Sequence, residues 1–437
     1  MKSILKVSLI GLVFTLVQFG LLAQDNMNLK PSTISAYKAR HIGPATMSGR
    51  ISALDAVDSR PVLLYVGAAG GGVWKSNNGG VKFKPVFEKY TQSIGAIRID
   101  PNHTDTVWVG TGEPWPRNSV SVGDGVYKTT DGGDSWKNMG LENTERIGRI
   151  VIHPSNPDTV YVAALGHLWD PNEDRGLYKT IDGGKTWENI LYIDENTGCS
   201  DIAIDPENPE VLYAAMWDFQ RKPWTFRSGG KGSGLYKTID GGKTWEELRN
   251  GFPEGILGRI AVSVSPLTPN MVYATVESKE SGLYRSDDYG QSWIEVNNTI
   301  PNQERPFYFS NILADPVDTN RVYKPSFDLN VSKNKGKNFS IAYVAGGKVH
   351  PDMHALWISK RDNNLLYMGS DGGVFVSRDK GSSWSILRNL PVSQFYHVSV
   401  DMEKPYNVYG GLQDNGSWYG PSEKSGGITN SDWKSAG

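Results

Sequence analysis

The sequence predicts an all-β chain, a seven-bladed or larger β-propeller of four-stranded antiparallel blades. Three observations carry this. The phrase GLYKTIDGGKTWE occurs at Gly176–Glu188 and again, unchanged, at Gly234–Glu246. It belongs to a series of hairpins closed by Phe83, Trp136, Trp187, Trp245, Trp293, Phe339 and Trp384, spaced 53, 51, 58, 48, 46 and 45 residues apart. A period near 50 implies one supersecondary structure per repeat, stacked as a propeller or solenoid. Finally, 49 Gly, 14 Trp and 20 Tyr in 437 residues describe a turn-rich, aromatic chain in which helix formers dominate no long window.

In chain order, the first element is a targeting signal at residues 1–23. Lys2 and Lys6 precede an apolar run from Val7 to Leu22, which is shorter than a membrane span needs. Cleavage at Ala23-Gln24 would leave a linker over 24–37 and an exported protein, secreted, periplasmic or extracellular, and not integral to a membrane. Seven repeats fill 38–390. Each holds a strand–turn–strand phrase such as IHPSNPDTVYVAAL (Ile152–Leu165), then a variable loop, then the hairpin. This reads as strands A and B joined by an Asx/Pro turn, a B–C loop, and strands C and D joined by the Asp-Gly turn. The stretch 391–437 is expected to begin a further blade cut short after strand C, without its closing hairpin.

Charge excludes one class of partner. The net charge of −2 provides no basic groove for nucleic acid. Cys199 is the single cysteine, so stability has to come from packing.

The A–B and C–D turns share one face of such a blade, and the B–C loops lie on the other. Function is expected on the loop face. The loop of the second blade brings Glu113, Trp115 and Arg117; those of the third and fourth bring Trp169, Trp217 and Trp224. Aromatic rings beside charged groups suit a polysaccharide or glycan, although each ring could equally pack its own loop onto the rim. Aligning SGRIS, GRIVI and GRIAV places Arg50, Arg149 and Arg259 at one position of strand A, either to clamp a carboxylate or to pair with Asp on neighbouring blades. In the seventh blade, His350, Asp352 and His354 alternate, and extended backbone would put them on one side. They could hold a divalent metal. Alternatively His354, Asp352 and Asp371 could act as acid and base.

The S/T-x-D-x-G-x-T/S-W hairpins resemble the Asp-box, or BNR repeat, of sialidases, sortilin-type propellers and the tandem-propeller glycoside hydrolases that cleave xyloglucan. The phrases RHIGPATMSGRI, GAAGGGVWKSNNGG, GTGEPWPRNS and HPDMHALWI resemble secreted bacterial proteins with sortilin-like propellers, often labelled glycosyl hydrolases. The resemblance spans roughly residues 38–437. It implies a glycan-binding propeller or part of a glycoside hydrolase; the alternative is a sortilin-like module that grips an extracellular protein or peptide. The xyloglucan-cleaving relatives use one Asp in the B–C loop of the first blade. Here that loop reads GAAGGGVW and holds no carboxylate, so the two-carboxylate pattern is incomplete.

Overall fold

The computed structural model describes residues 40–44, 46, 48–118, 120–342 and 349–437. The expected signal peptide and linker lie outside them. Residues 43–437 form one compact body. Among the described residues no helix is long and apolar enough to cross a membrane.

Among the described residues, eight antiparallel sheets follow one another along the chain, each in simple A-B-C-D order. Sheet 3 is representative, with strands Ile147–Ile152, Val160–Ala164, Gly176–Thr180 and Glu188–Leu191. Strand A of each sheet through the seventh packs against a neighbouring sheet. The cycle returns on itself: Leu64 and Val66 of sheet 1 share a core with Tyr367, Val374 and Val376 of sheet 7. The architecture is a β-propeller. Strand B is uniformly buried in sheets 2, 3, 5, 6 and 7 because it is covered on both faces.

The hairpin phrase is a self-contained clasp. Thr180 Oγ1 donates to Asp182 (2.8 Å) and accepts the Gly184 N–H (2.9 Å). Asp182 in turn accepts from the Lys185 and Thr186 amides and the Thr186 hydroxyl. Gly183 and Gly184 sit at φ +73° and +91°, which a side chain would strain. The clasp aromatics of sheets 2 and 3 also reach backwards: Trp136 Nε1 donates to Val86 O and Trp187 Nε1 to Met139 O, each just past strand D of the preceding sheet. In sheets 5 and 7, Trp293 and Trp384 bond within their own turns. The Asn78 and Asn334 clasps keep the hydroxyl-to-carboxamide geometry.

A second link runs between sheets. A Tyr near the start of strand B donates its hydroxyl to the clasp turn of the next sheet: Tyr65 to Gly132 O, Tyr161 to Gly241 O, Tyr213 to Tyr289 O and Tyr323 to Lys380 O. Tyr367 of sheet 7 makes the same bond to Gly79 O of sheet 1, at 3.1 Å.

Two expectations are corrected here. The eighth repeat is not cut short after strand C: Lys434–Ser435 pairs with Trp418–Tyr419 as strand D. Trp433, buried, stands immediately before it, as Trp136 does before Lys137 in sheet 2. A short 3₁₀ turn capped by Thr429 replaces the Asp clasp. Nor does the ring end cleanly at 390, since Leu390 and Val392 belong to the core shared by sheets 1 and 7.

Candidate functional site

The site grows from an irregularity in strand A. In sheets 1, 2, 3, 4 and 7 the A–B register slips by one residue at the same place, so Ser52, Gly95, Gly148, Ser200 and His354 are bulged out of the ladder. All five line a cavity of about 70 Å³ on the axis, room for a few waters and too small for a sugar ring. Four of them are Gly or Ser. His354 is the exception, and its imidazole turns toward Asp371, with Nε2 2.7 Å from Oδ1. Trp115 packs at 4.9 Å and Tyr308 at 5.4 Å from its ring. Nδ1 has no protein partner among the described residues.

The His354–Asp371 pair ends a buried ion chain. Arg50 grips Asp371 bidentately, Nε to Oδ1 at 2.7 Å and Nη2 to Oδ2 at 2.9 Å. Its third nitrogen donates to Glu113 (2.8 Å), which also accepts two bonds from Arg117. Arg50, Glu113, His354 and Asp371 are all buried. Burial would push the Asp371 carboxyl up, but the hydrogen bonds from His354 and Arg50 outweigh it and hold the group well below the usual carboxylate range. Burial likewise acts to lower Arg50, and Asp371 and Glu113 reverse it, so the guanidinium stays charged. The eighth repeat caps this chain. Asn415 Nδ2 donates to Asp371 O, Gln413 accepts from Arg117, and His350 Nε2 lies 2.9 Å from Asp414 O.

This geometry corrects several expectations. His350, Asp352 and His354 do not share a side. Asp352 adopts φ +61° and the bulge follows at once, so the alternation of an extended strand is broken. No cluster of three His, Cys, Asp or Glu able to hold a metal occurs among the described residues. Asp352 lies near enough to feel Asp371: burial, then that neighbouring charge, raise its carboxyl. His354 and Asp371, the remaining catalytic candidates, do meet, but in a closed setting with Asp371 already saturated by donors.

The three-arginine alignment holds for Arg50 and Arg259 and fails for Arg149, which lies on the other side of the bulge. Measured against strand B, Arg50 and Arg259 hold one position, opposite Ala69 and Glu277, whose amides donate to their carbonyls, whereas Arg149 lies further along, level with Ala53 and Ala261. Arg149 pairs with Asp201 of the next sheet (2.7 Å), and Asp201 also accepts the Val262 amide of the sheet beyond. Arg259 donates to Phe307 O and lies over Trp217 at 5.0 Å.

The aromatic candidates divide. Trp115 and Trp217 are buried, Trp217 stacked on Phe219 at 4.3 Å, so neither presents a face to a ligand. Trp169 and Trp224 are 37% and 81% exposed. Trp224 tips an added hairpin in sheet 4, where strand B runs on to Lys222 and returns as Thr225–Ser228. Sequence reasoning passed over Arg305 and Phe307, which come between sheets 5 and 6 rather than from a B–C loop and face the same opening as Arg117.

The sortilin–Vps10 family model (sortilin, neurotensin receptor 3) matches residues 71–200 and 124–282. The xyloglucanase Xgh74A of Acetivibrio thermocellus is 26% identical over 266 residues, which cover 54% of this chain and 29% of that protein. The photosystem II assembly lipoprotein Ycf48 of Trichormus variabilis is 26% identical over 146 residues, 29% of this chain and 42% of that protein. The chain thus spans under half the length of these relatives. Among solved structures, Ycf48 bound to D1 peptide superposes with a TM-score of 0.51 at 15% identity, covering 78% of this chain and 98% of that one. The chain is a β-propeller of Asp-box repeats that resembles the sortilin-type propellers and the xyloglucanases.

Proposed function

We propose that the loop-rich face binds a polysaccharide or glycan and that the protein works outside the cytoplasm. The observation that carries this is the pair of exposed rings, Trp169 and Trp224, standing on neighbouring B–C loops beside half-buried cationic side chains. Flat apolar rings cover the C–H faces of sugars, and fixed polar groups take their hydroxyls. The xyloglucanase relatives support the same reading. Catalysis is not part of it: the first B–C loop lacks a carboxylate, and Asp371 is committed to Arg50 and His354.

A peptide-binding reading has one observation in its favour. Strand A of the eighth sheet, Ser399–Val400, is an open sheet edge, and Val398, Val400 and Met402 beside it are exposed. Such an edge can accept an added strand.

The test is affinity electrophoresis of the full chain in gels containing xyloglucan, glucuronoxylan, pectate or no polysaccharide. Retardation by at least one polysaccharide is expected, and Trp224→Ala and Trp169→Ala should each reduce it several-fold with no change in melting temperature. Migration unaffected by every polysaccharide would sink the glycan reading.

A further inference from the structure

On the loop face lies a groove of about 610 Å³, formed by the second and fourth B–C loops, the segment between sheets 5 and 6, and the entry to the eighth repeat. That volume is of the size small-ligand sites occupy. Arg117, Arg221 and Arg305 line it, together with Phe307, Tyr396 and the amides of Gln394 and Gln413. Among the described residues, no Asp or Glu lines it.

The arginines differ in how far they are neutralised. Arg117 shares Glu113 with Arg50, and in the buried chain the charges of Arg50 and Arg117 are matched by Glu113 and Asp371. Arg221 and Arg305 are surplus: no carboxylate stands within ion-pair distance of either among the described residues. Asp352 is the carboxylate whose charge Arg305 senses, without an ion pair. Both guanidiniums are held in place by aromatic rings instead. Arg221 lies over Phe226 at 5.4 Å, and Arg305 over Tyr308 at 4.7 Å. Stacking orients the planar fork and leaves its N–H donors unused.

We propose that this groove takes an acidic glycan, with a uronate carboxylate seated between Arg221 and Arg305. The proposal deepens the glycan reading of the face and rests on it. Bidentate recognition of a carboxylate is what paired guanidiniums do best. The planar amides of Gln394 and Gln413 suit hydroxyls, and Tyr396, 64% exposed, offers a stacking face. A sugar is favoured over an acidic peptide because the walls are loop side chains. The open strand edge that would pair with a peptide backbone is strand A of the eighth sheet, which is not part of the lining.

The experiment is calorimetric titration of the full chain with tetragalacturonate, its methyl ester, a neutral xyloglucan heptasaccharide and hexaglutamate. The expected result is binding of tetragalacturonate at least tenfold tighter than of the ester, weakening as salt rises. Arg305→Gln and Arg221→Gln should each cost tenfold or more for the acid without moving the melting temperature. Arg305 is exposed, so its variant carries no folding risk and stands as the decisive one. Equal binding of acid and ester, or no effect of Arg305→Gln, overturns the acidic site while leaving a glycan-binding face intact. A preference for hexaglutamate overturns the sugar class. Silence from all three oligosaccharides, together with unretarded migration in the polysaccharide gels, overturns both readings.

Discussion

The two faces of the propeller both hold Asp carboxylates below their ordinary range, by opposite means. On the clasp face, Asp182 is half-buried at the surface; the Thr186 amide and hydroxyl, then Thr180, hold its proton off. Asp131 and Asp240 are held the same way, with the hydroxyls of Ser135 and Thr244 foremost. Every partner lies within four residues. On the loop face, Asp371 is buried and its partners come from 17 and 321 residues away. A local clasp repeats wherever its phrase repeats and contributes modestly each time. A long-range buried network exists once, and removing any member strands the others in low dielectric.

The largest effect should therefore come from Asp371→Ala. It leaves Arg50 with Glu113 alone and His354 with no partner at either nitrogen, so denaturant unfolding should show a loss of about 3–5 kcal/mol. A loss below about 1 kcal/mol would put the network on a par with a single clasp. Next, Thr180→Ala removes the hydroxyl that bridges Asp182 and the Gly184 amide, and should cost about 1–2 kcal/mol. Acid sharpens the contrast. Asp371 is depressed in the folded state, so its contribution is complete above the unfolded carboxylate value near 4 and fades as pH falls toward the folded value. Wild type should lose stability on acidification below about pH 4, and Asp371→Asn should lose less per pH interval because that proton uptake is gone; parallel melting curves between pH 2 and 5 read the difference. Smallest of all, Lys185→Ala, at an exposed clasp position that uses only its backbone amide, should shift stability by less than about 0.5 kcal/mol.

The same contrast decides what could be read from the sequence. The clasps were legible because their physics is contained in eight consecutive residues, and the period of their aromatics gives the sheets. The eighth strand D was missed because Thr429 and a 3₁₀ turn stand in for the Asp box, yet Trp433 falls 49 residues after Trp384, within the period. The two faces could be told apart from strand order, and the B–C loops of sheets 2 and 4 do contribute to the groove. What failed was register. One bulged residue in strand A separates Arg50 from Arg149 and turns His354 out of the ladder, and no rule of alternation survives such an insertion. Burial was the other loss: Trp115, Trp169, Trp217 and Trp224 look equivalent in a string of letters, and only packing separates anchor from platform.

The tyrosine-to-clasp bond has a consequence for symmetry. Five repeats offer a tyrosine donor forward to an acceptor on the next sheet, while Trp108 takes that place in sheet 2 and Tyr273 of sheet 5 donates to Met271 Sδ; the contact is heterologous, the head-to-tail kind that yields either a closed ring or an open filament. Closure happens when the last donor finds the first acceptor. Tyr367 has found Gly79. The eighth repeat accordingly has no vacancy to enter, and its own tyrosine, Tyr409, turns back to donate to Asp401 in the turn after its own strand A. The eighth sheet is an outsider to a completed cycle. It is free to lie across the mouth of the ring, where Gln413 and Asn415 reach the buried ions, instead of being threaded into the circle of blades.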